Sequence, residues 1–578
     1  MPLIKVNIPS KTPLPNRWEE VRRDFPMPSP RPFQQEVLSV IYYAMAKDDF
    51  DNIVVQAPTG IGKSAIAMTL QNRFKSGYLL TPSLGLTEQY MADYGDKLVE
   101  VRGRRNFDCW VRPGTAHAAP CWRSGRSCPH TKEEDPCPYY EQKFAGRDAR
   151  ITLSNPAYLF RVVQGNSSFE QRDFAIIDEA HQLEDFMLDL MEGRITAKEW
   201  RLVFGPRNFP HHYHAADWLD DVKEMKTNCE ALIEKAELDG DEDKVQQFTD
   251  ILSKVITCLE LLADSKNCVV ESNNNRFGTY VAFRPVRANR FAGEHLDNVA
   301  RKRIFLSATV LDIDTFLGSL GLEDQKTLYV NVTKSPFPDG NFNVHYAGCG
   351  SMSWGKRAHS IPRQIKAITG IMEKWPNKRG VILPHSHAIR KEFVNGLKDA
   401  GFEDRIVTHD SDVRGREMAI KKFLTDPDDS LVLISTYVGE GFDFKGKLAE
   451  WLVMCKIPYL PIKGDAVIEQ RMEEDEHQWR RDKEGTPECP YEPPTKYSNG
   501  LCGNFMCPSP CQKHYNLKTA LKVVQGAGRI VRSPDDVGHL FILDGSWPRF
   551  FRQNSHLLPA WFRSNVTEPP TWLKRHLT

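Results

Sequence analysis

The sequence has no excess of charge of either sign, since 76 Lys and Arg residues balance 76 Asp and Glu residues. This balance excludes a global positive field, so any affinity for nucleic acid must come from local basic surface. The sequence also has no apolar run of about 18 residues, the length that a membrane span needs, and its first residues lack the apolar core of a signal peptide. We therefore expect a soluble, cytoplasmic protein with no membrane partner.

Glycine and proline are too few for a disordered or fibrous chain, with 37 Gly and 38 Pro among 578 residues. Hydrophobic residues make up 40% of the chain and charged residues 26%, which is ordinary for a globular protein that buries several cores. The length predicts roughly three or four domains and excludes a single small binding module.

A disulfide framework is not expected, because the thirteen cysteines are an odd number and a reducing compartment keeps thiols free. Eight of the cysteines fall into two clusters of four, which indicates metal binding. The first cluster is Cys109, Cys121, Cys128 and Cys137, and the second is Cys489, Cys502, Cys507 and Cys511.

Residues 57–64 form a glycine-rich loop between a predicted strand at 51–56 and a predicted helix at 65–74. In this context backbone N–H groups surround phosphates, Lys reaches the terminal phosphates and Ser binds Mg²⁺. An ordinary strand–helix turn is the alternative, but the Gly-Lys-Ser ending favours a phosphate loop. We therefore predict an ATP site formed by Thr59, Gly60, Ile61, Gly62, Lys63 and Ser64.

A predicted buried strand at 174–177 ends in two carboxylates, Asp178 and Glu179, and His181 follows them. Parallel α/β sheets place their ligand chemistry at the carboxyl ends of strands. Asp178 is therefore predicted to bind Mg²⁺ together with Ser64, and Glu179 to polarise the attacking water.

Three further motifs come later in the chain. Ser307-Ala-Thr309 follows a predicted strand at 303–306, residues 439–443 follow one at 431–434, and Gln525-Gly-Ala-Gly-Arg529-Ile-Val-Arg532 precedes the last strand. With the phosphate loop they predict a two-lobed nucleic-acid motor built on parallel α/β sheets. Arg529 and Arg532 are expected to reach the ATP phosphates from the second lobe, because planar arginine charge stabilises the phosphoryl transition state. Gln525 joins this catalytic group, and Asp443 is assigned to nucleotide binding.

These motifs resemble the XPD/DinG family of superfamily 2 iron-sulfur DNA helicases. The resemblance runs along nearly the whole chain, from Arg31-Pro-Phe-Gln34 to Arg532, and includes Ser335-Pro-Phe-Pro338 and Lys456-Ile-Pro-Tyr459. It implies a DEAH box at 178–181, Gln34 on the adenine side of the nucleotide, and an α/β fold of two RecA-like motor domains with an inserted iron-sulfur domain and an inserted helical arch domain. The expected boundaries are 1–105, 149–186 and 273–330 for the first motor domain, 106–148 for the iron-sulfur domain, 187–272 for the arch, and 331–578 for the second motor domain with a Cys-rich insertion at 464–515.

The first cysteine cluster has eleven, six and eight intervening residues and lacks the tight knuckle of structural zinc sites. Four thiolates from separate loops can hold an iron-sulfur cluster, and the resemblance implies a 4Fe-4S cluster on Cys109, Cys121, Cys128 and Cys137. Zinc and an unliganded set of thiols are the alternatives. Six arginines (102, 104, 105, 112, 123 and 126) and three aromatic residues lie around this cluster, which favours contact with single-stranded DNA.

The second cluster has twelve, four and three intervening residues, so it does contain short knuckles. Its Pro- and Gly-rich surroundings cannot order themselves by burying apolar surface, and a structural Zn²⁺ on Cys489, Cys502, Cys507 and Cys511 would supply that order. The resemblance does not imply this site. A mobile loop with free thiols and a partner-binding surface are the alternatives.

The sequence as a whole predicts a monomeric, ATP-dependent DNA helicase that translocates 5′ to 3′ on single-stranded DNA and separates forked duplex DNA. The polarity comes from the resemblance alone. An RNA or RNA–DNA hybrid helicase is the first alternative, because tracking of the backbone and stacking of bases do not discriminate the sugar. A nucleotide-gated scaffold without unwinding activity is the second.

Overall fold

The computed structural model describes residues 3–119, 121, 128–164, 169–275, 278–410, 413–436, 446–461, 464–473 and 513–577. No helix within these ranges is long and apolar enough to cross a membrane.

The strands are β1 (Leu3–Ile8), β2 (Asn52–Gln56), β3 (Gly77–Leu80), β4 (Val99–Val101), β5 (Ile151–Ser154), β6 (Arg172–Ile177), β7 (Gly193–Thr196), β8 (Cys268–Asn275), β9 (Gly278–Pro285), β10 (Ala300–Ser307), β11 (Thr327–Val332), β12 (Phe342–Tyr346), β13 (Gly380–Leu383), β14 (Ile406–Thr408), β15 (Val432–Ile434), β16 (Trp451–Met454), β17 (Gly538–Ile542) and β18 (Val566–Thr567).

The first lobe is built on an eight-stranded sheet in the order β1-β11-β2-β10-β6-β3-β5-β4, in which all neighbours are parallel. Its central strands β2 and β3 are buried along their whole length, as expected for strands covered on both faces. Helices pack on the two faces and form two separate cores. They are Trp18–Val21, Gln34–Lys47, Lys63–Arg73, Leu84–Tyr94, Pro138–Asp148, Pro156–Gln164, Leu183–Leu190, Ala292–Val299 and Ile313–Ser319.

The second lobe repeats this plan with seven strands in the order β14-β15-β13-β16-β17-β12-β18, again with parallel neighbours. It too has one apolar core on each face of the sheet. Its helices are Arg357–Lys374, His387–Asp399, Val413–Thr425, Lys513–Ala527, Trp547–Asn554, Ala560–Arg563 and Thr571–Lys574, with a further helical segment at 466–473. The two parallel α/β lobes confirm the predicted fold class.

Residues 193–285 form an inserted unit, here called the arch unit. The helices Ala197–Phe204, Leu219–Leu238 and Glu242–Leu262 pack on a small antiparallel sheet in the order β7-β9-β8 and share a core of their own. The predicted arch boundaries of 187–272 leave out β9. The structure differs here because β8 and β9 form a hairpin, and β9 pairs with β7 at the start of the unit.

Candidate functional site

The glycine-rich loop joins the end of β2 to the helix Lys63–Arg73. Gly60 and Gly62 have φ angles of +86° and +81°, which glycine adopts without steric cost. Both are also crowded: a Cβ on Gly60 would lie 1.8 Å from the ring of Phe337, and one on Gly62 would lie 2.5 Å from the side-chain nitrogen of Gln34. The loop therefore leads its backbone amides into a helix N-terminus, a ready binding site for phosphate.

The segment Arg31 to Gln34 supports this loop from one side. The Gln34 side chain donates a hydrogen bond to the carbonyl of Gly62 at 3.2 Å and accepts one from the Arg31 amide at 2.7 Å. The Arg31 guanidinium donates to the carbonyl of Gly60 at 2.9 Å. Gln34, predicted to lie beside the adenine, thus contacts the phosphate loop itself. Arg31 was not among the predicted site residues, although it stands in the same motif.

Asp178 and Glu179 follow the end of β6. The buried Asp178 carboxylate accepts a hydrogen bond from the Tyr90 hydroxyl at 2.8 Å and one from the Glu179 amide at 2.8 Å. Burial, and then the neighbouring Glu179, raise the pKa of Asp178 to about 6 against the opposing charge of Lys63. Tyr90 could not be recognised as a site residue from the sequence, because it lies 88 residues before Asp178.

Glu179 is the negative centre of a group of cations. Its Oε1 atom lies 3.7 Å from the Lys63 ammonium. Burial would raise the pKa of Glu179, but Lys63, His181, Arg532 and Arg529 together lower it. The carboxylate is therefore held ionised, as a residue that polarises water must be.

His181 connects the carboxylates to the next motif. Its Nδ1 atom lies 3.0 Å from the Ser307 hydroxyl oxygen and 3.5 Å from Glu179 Oε2. Ser307 in turn accepts a hydrogen bond from the Thr309 amide at 3.0 Å. The pairing of β10 with β6 brings these motifs together, although more than 120 residues separate them.

The second lobe closes the site. The helix Lys513–Ala527 and the turn after it carry Gln525, Arg529 and Arg532. They line a cleft together with first-lobe residues that include Thr59, Glu179 and Thr309, and with Trp561 near the C-terminus. Gly528 lies against Thr59, since a Cβ on it would be 3.4 Å from the Thr59 methyl carbon. The structure thus brings the predicted arginines opposite the predicted phosphate loop. Trp561 was not predicted.

Three groups of predicted site residues lie outside the described residues. These are Asp443, the second cysteine cluster (Cys489, Cys502, Cys507 and Cys511), and Arg123 and Arg126 of the arginines expected to contact DNA. Their assignments to nucleotide, to Zn²⁺ and to DNA remain predictions.

The first cysteine cluster lies in residues 104–148, here called the cluster unit. The Cys109 amide donates to the Gly114 carbonyl at 2.8 Å, and the Cys137 amide to the His130 carbonyl at 3.0 Å. Cys121 is near the other three: burial raises the pKa of its thiol, Arg104 lowers it, and Cys128, Cys109 and Cys137 raise it further. Among the residues the structure describes, no group of three or more His, Cys, Asp or Glu side chains is arranged to hold a metal ion.

The arginines of the cluster unit differ in their surroundings. Arg104 lies over the ring of Tyr139, 4.1 Å from its centroid, and donates to the Tyr140 hydroxyl at 3.0 Å. Arg102, just before the unit, pairs with Glu100. Both of these predicted DNA contacts therefore bind protein groups.

A cavity of about 1350 Å³ lies between the cluster unit and the arch unit. Its lining includes seven basic residues, Arg105, Arg112, Arg161, Arg194, Lys198, Lys244 and Lys254, and four acidic ones, Glu192, Glu199, Asp243 and Asp250. Two of the acids pair with basic neighbours, Glu199 with Lys254 and Glu192 with Arg194. The excess of basic residues makes this cavity a local positive surface on a chain of zero net charge.

The fold and the cleft define a class: an ATP-dependent motor with two RecA-like lobes. The family "Helicase C-terminal domain" matches residues 368–565, and the family "Type III restriction enzyme, res subunit" matches residues 27–204. A search of curated proteins finds no significant match.

Solved structures share the fold at low sequence identity. An XPD helicase has a TM-score of 0.59 at 14% identity, over 94% of this chain and all of the other. S. tokodaii Xpd4 has a TM-score of 0.54 at 14% identity, over 93% of this chain and all of the other. An apo XPD structure has a TM-score of 0.51 at 14% identity, over 92% of this chain and all of the other. These structures show a shared fold, and the two family matches make the chain similar to helicases of the XPD type.

Proposed function

We propose that this helicase unwinds duplex DNA by translocating 5′ to 3′ along a single strand, driven by ATP hydrolysis. One observation carries the motor assignment: Arg529 and Arg532 of the second lobe line the same cleft as Glu179 of the first, where their charges help to lower the pKa of that carboxylate. A nucleotide bound there contacts both lobes, so its hydrolysis changes how tightly they close.

Each residue of the cleft has a part in this reaction. The amides of 59–64 and Lys63 hold the terminal phosphates of ATP, and Ser64 and Asp178 hold Mg²⁺, which neutralises charge on those phosphates. A buried carboxylate and a hydroxyl at a helix N-terminus are oxygen donors that suit this cation. Glu179 orients and polarises the water, while Arg529, Arg532 and Gln525 act on the phosphates from the opposite side.

The cavity between the cluster unit and the arch unit is the proposed path of single-stranded DNA. Its basic lining suits a phosphate backbone, and the aromatic residues of the cluster unit include Trp110, of which 55% is exposed. Exposed aromatic faces stack on unpaired bases. Strand separation is therefore proposed at the cluster unit, and the choice of DNA and of polarity rests on the resemblance to XPD and DinG.

We further propose that Cys109, Cys121, Cys128 and Cys137 hold a 4Fe-4S cluster. Four thiolates are a suitable donor set for such a cluster. The proposal is supported by the effect of the other three thiols and of the Arg104 guanidinium on the pKa of Cys121, although the described side chains are not arranged as a metal site. That positive charge would offset part of the negative charge of four thiolates around the iron. A separate structural Zn²⁺ on the second cysteine cluster is proposed from spacing alone.

The decisive experiment compares unwinding of four forks: DNA with a 5′ or a 3′ tail, and RNA with the same tails. We expect ATP-dependent opening of the 5′-tailed DNA fork only, with Lys63→Ala as the inactive control. Opening of the RNA fork at the same rate would favour the alternative of an RNA helicase, and DNA-independent ATPase without unwinding would favour the scaffold. Iron and zinc are measured on the same anaerobic preparation.

A further inference from the structure

The helix Leu84–Tyr94 directs two tyrosines toward the residues proposed to bind Mg²⁺. Tyr90 is fully buried, and its hydroxyl donates to Oδ2 of Asp178 at 2.8 Å. The other oxygen of Asp178 accepts from the Glu179 amide. With one hydrogen bond on each oxygen, the orientation of the carboxylate is fixed before any metal arrives.

Tyr94 lies one helical turn further along the same helix, and the two rings are 6.3 Å apart. Tyr94 is almost fully buried, with only 5% of its surface exposed. Its hydroxyl makes no hydrogen bond to the described residues that meets normal geometry. The Ser64 hydroxyl is nevertheless near enough to act on this phenol. A buried hydroxyl with no hydrogen-bond partner among the described residues thus lies near the second proposed ligand.

The two tyrosines lie near proposed ligands from different parts of the chain. Ser64 lies in the first turn of the helix Lys63–Arg73, and Asp178 follows β6. A tyrosine at position i and another at i+4 share one face of a helix, so one rigid element can hold both ligands at once. If Tyr90 and Tyr94 served only to fill the core, their aromatic rings would be sufficient. Packing therefore does not explain why both side chains carry a buried hydroxyl.

We propose, on the basis of the function proposed above, that Tyr90 and Tyr94 are positioning residues of the Mg²⁺ site. Tyr90 fixes the carboxylate of Asp178, and Tyr94 supplies a hydrogen bond to the Ser64 side when the cation and its water shell are present. Partners of this kind that orient a metal ligand typically change metal affinity by about 10–100-fold when they are removed.

The test uses full-length Tyr90→Phe and Tyr94→Phe, which keep the rings and remove only the hydroxyls. Tyr42→Phe is the matched control, because Tyr42 is also buried in the first lobe and donates to a carboxylate, Asp24, at 2.8 Å. Mn²⁺ replaces Mg²⁺ as the probe, and its binding in the presence of ADP is measured by electron paramagnetic resonance. The Mg²⁺ concentration for half-maximal ATPase is measured alongside.

We expect the Kd for Mn²⁺ to rise about tenfold in Tyr90→Phe and about threefold in Tyr94→Phe, within the range for such partners and for a single neutral hydrogen bond. Binding of ADP without metal stays unchanged, and Tyr42→Phe matches the wild type. Wild-type Mn²⁺ affinity in Tyr90→Phe overturns the proposal, as does an equal loss in Tyr42→Phe. If the wild type binds Mn²⁺ and ADP but opens no fork, the proposed helicase function fails while this inference stands.

Discussion

Glu184 is the residue for which the structure allows the most quantitative prediction. It lies in the helix Leu183–Leu190, shortly after the proposed catalytic carboxylates, and its Oε1 accepts a hydrogen bond from the Arg471 guanidinium at 2.7 Å. The Lys518 ammonium lies 3.5 Å from its Oε2 and 2.8 Å from Oδ1 of Asp185. The side chains of Glu184 and Arg471 are only 10% and 4% exposed. One buried carboxylate therefore joins the first lobe to two segments of the second.

The size of the effect follows from the pKa. Burial would raise the pKa of Glu184, but Arg471, Lys518 and His514 lower it from its usual 4.5 to about 2. Each tenfold change in proton affinity is worth about 1.4 kcal/mol, so the ionised group stabilises the fold by about 3 kcal/mol. Because the pKa is lowered in the folded state, this stability is present above pH 4.5 and is lost as the pH falls toward 2. Removal of one partner of a buried ion pair costs about 3–5 kcal/mol, which agrees.

Glu184→Gln should therefore lower the free energy of unfolding by about 3 kcal/mol at pH 7, measured by urea titration of the full chain. Asp185→Asn is the matched control: its carboxylate contacts the same Lys518 but is 64% exposed, so its loss should cost less than about 1 kcal/mol. Replacing Arg471 by Met in the Glu184→Gln background should cost less than the two single changes added together. Equal losses from Glu184→Gln and Asp185→Asn would refute the reasoning.

The motor, the cluster unit and the second cysteine cluster give four more predictions. Lys63→Ala should abolish ATPase, whereas Glu179→Gln should still bind an ATP analogue and release no phosphate; wild-type turnover by Glu179→Gln would contradict the role of that carboxylate. Arg529→Ala should leave nucleotide affinity nearly unchanged and slow turnover by about 10³-fold or more, as measured by phosphate release. Cys121→Ser should lose the brown absorbance and the iron and uncouple ATPase from unwinding, while a colourless wild type with zinc and no iron would rule out the cluster. Cys507→Ser should lose zinc and keep the iron.

The parts of the fold that could be predicted are those whose signal is local. The predicted strands at 174–177, 303–306 and 431–434 overlap β6, β10 and β15, because each is a short and largely apolar run. The phosphate loop was likewise predictable from contiguous residues, although its helix begins at Lys63 and not at 65. The positions of these elements are therefore set by residues that are adjacent in the sequence.

The parts that could not be predicted depend on distant contacts. Strand β8 ends in a run of asparagines at 273–275, which has no apolar alternation, and the pairing of β9 with β7 joins residues 84 to 90 positions apart. Arg104 illustrates the same limit for side chains. Composition groups it with the arginines predicted to contact DNA, but the fold stacks it on Tyr139, which lies 35 residues further along the chain.

The nucleotide cleft and the buried ionic group are joined by a single helix. Lys518 and Gln525 lie on the helix Lys513–Ala527, seven residues or about 10 Å apart, and Arg529 follows its end. On the first lobe, Glu184 comes three residues after His181. If the second lobe moves as one body, a movement that takes Arg529 away from the first lobe also separates Lys518 from Glu184. We therefore expect the buried charges to add an energetic cost to any separation of the two lobes.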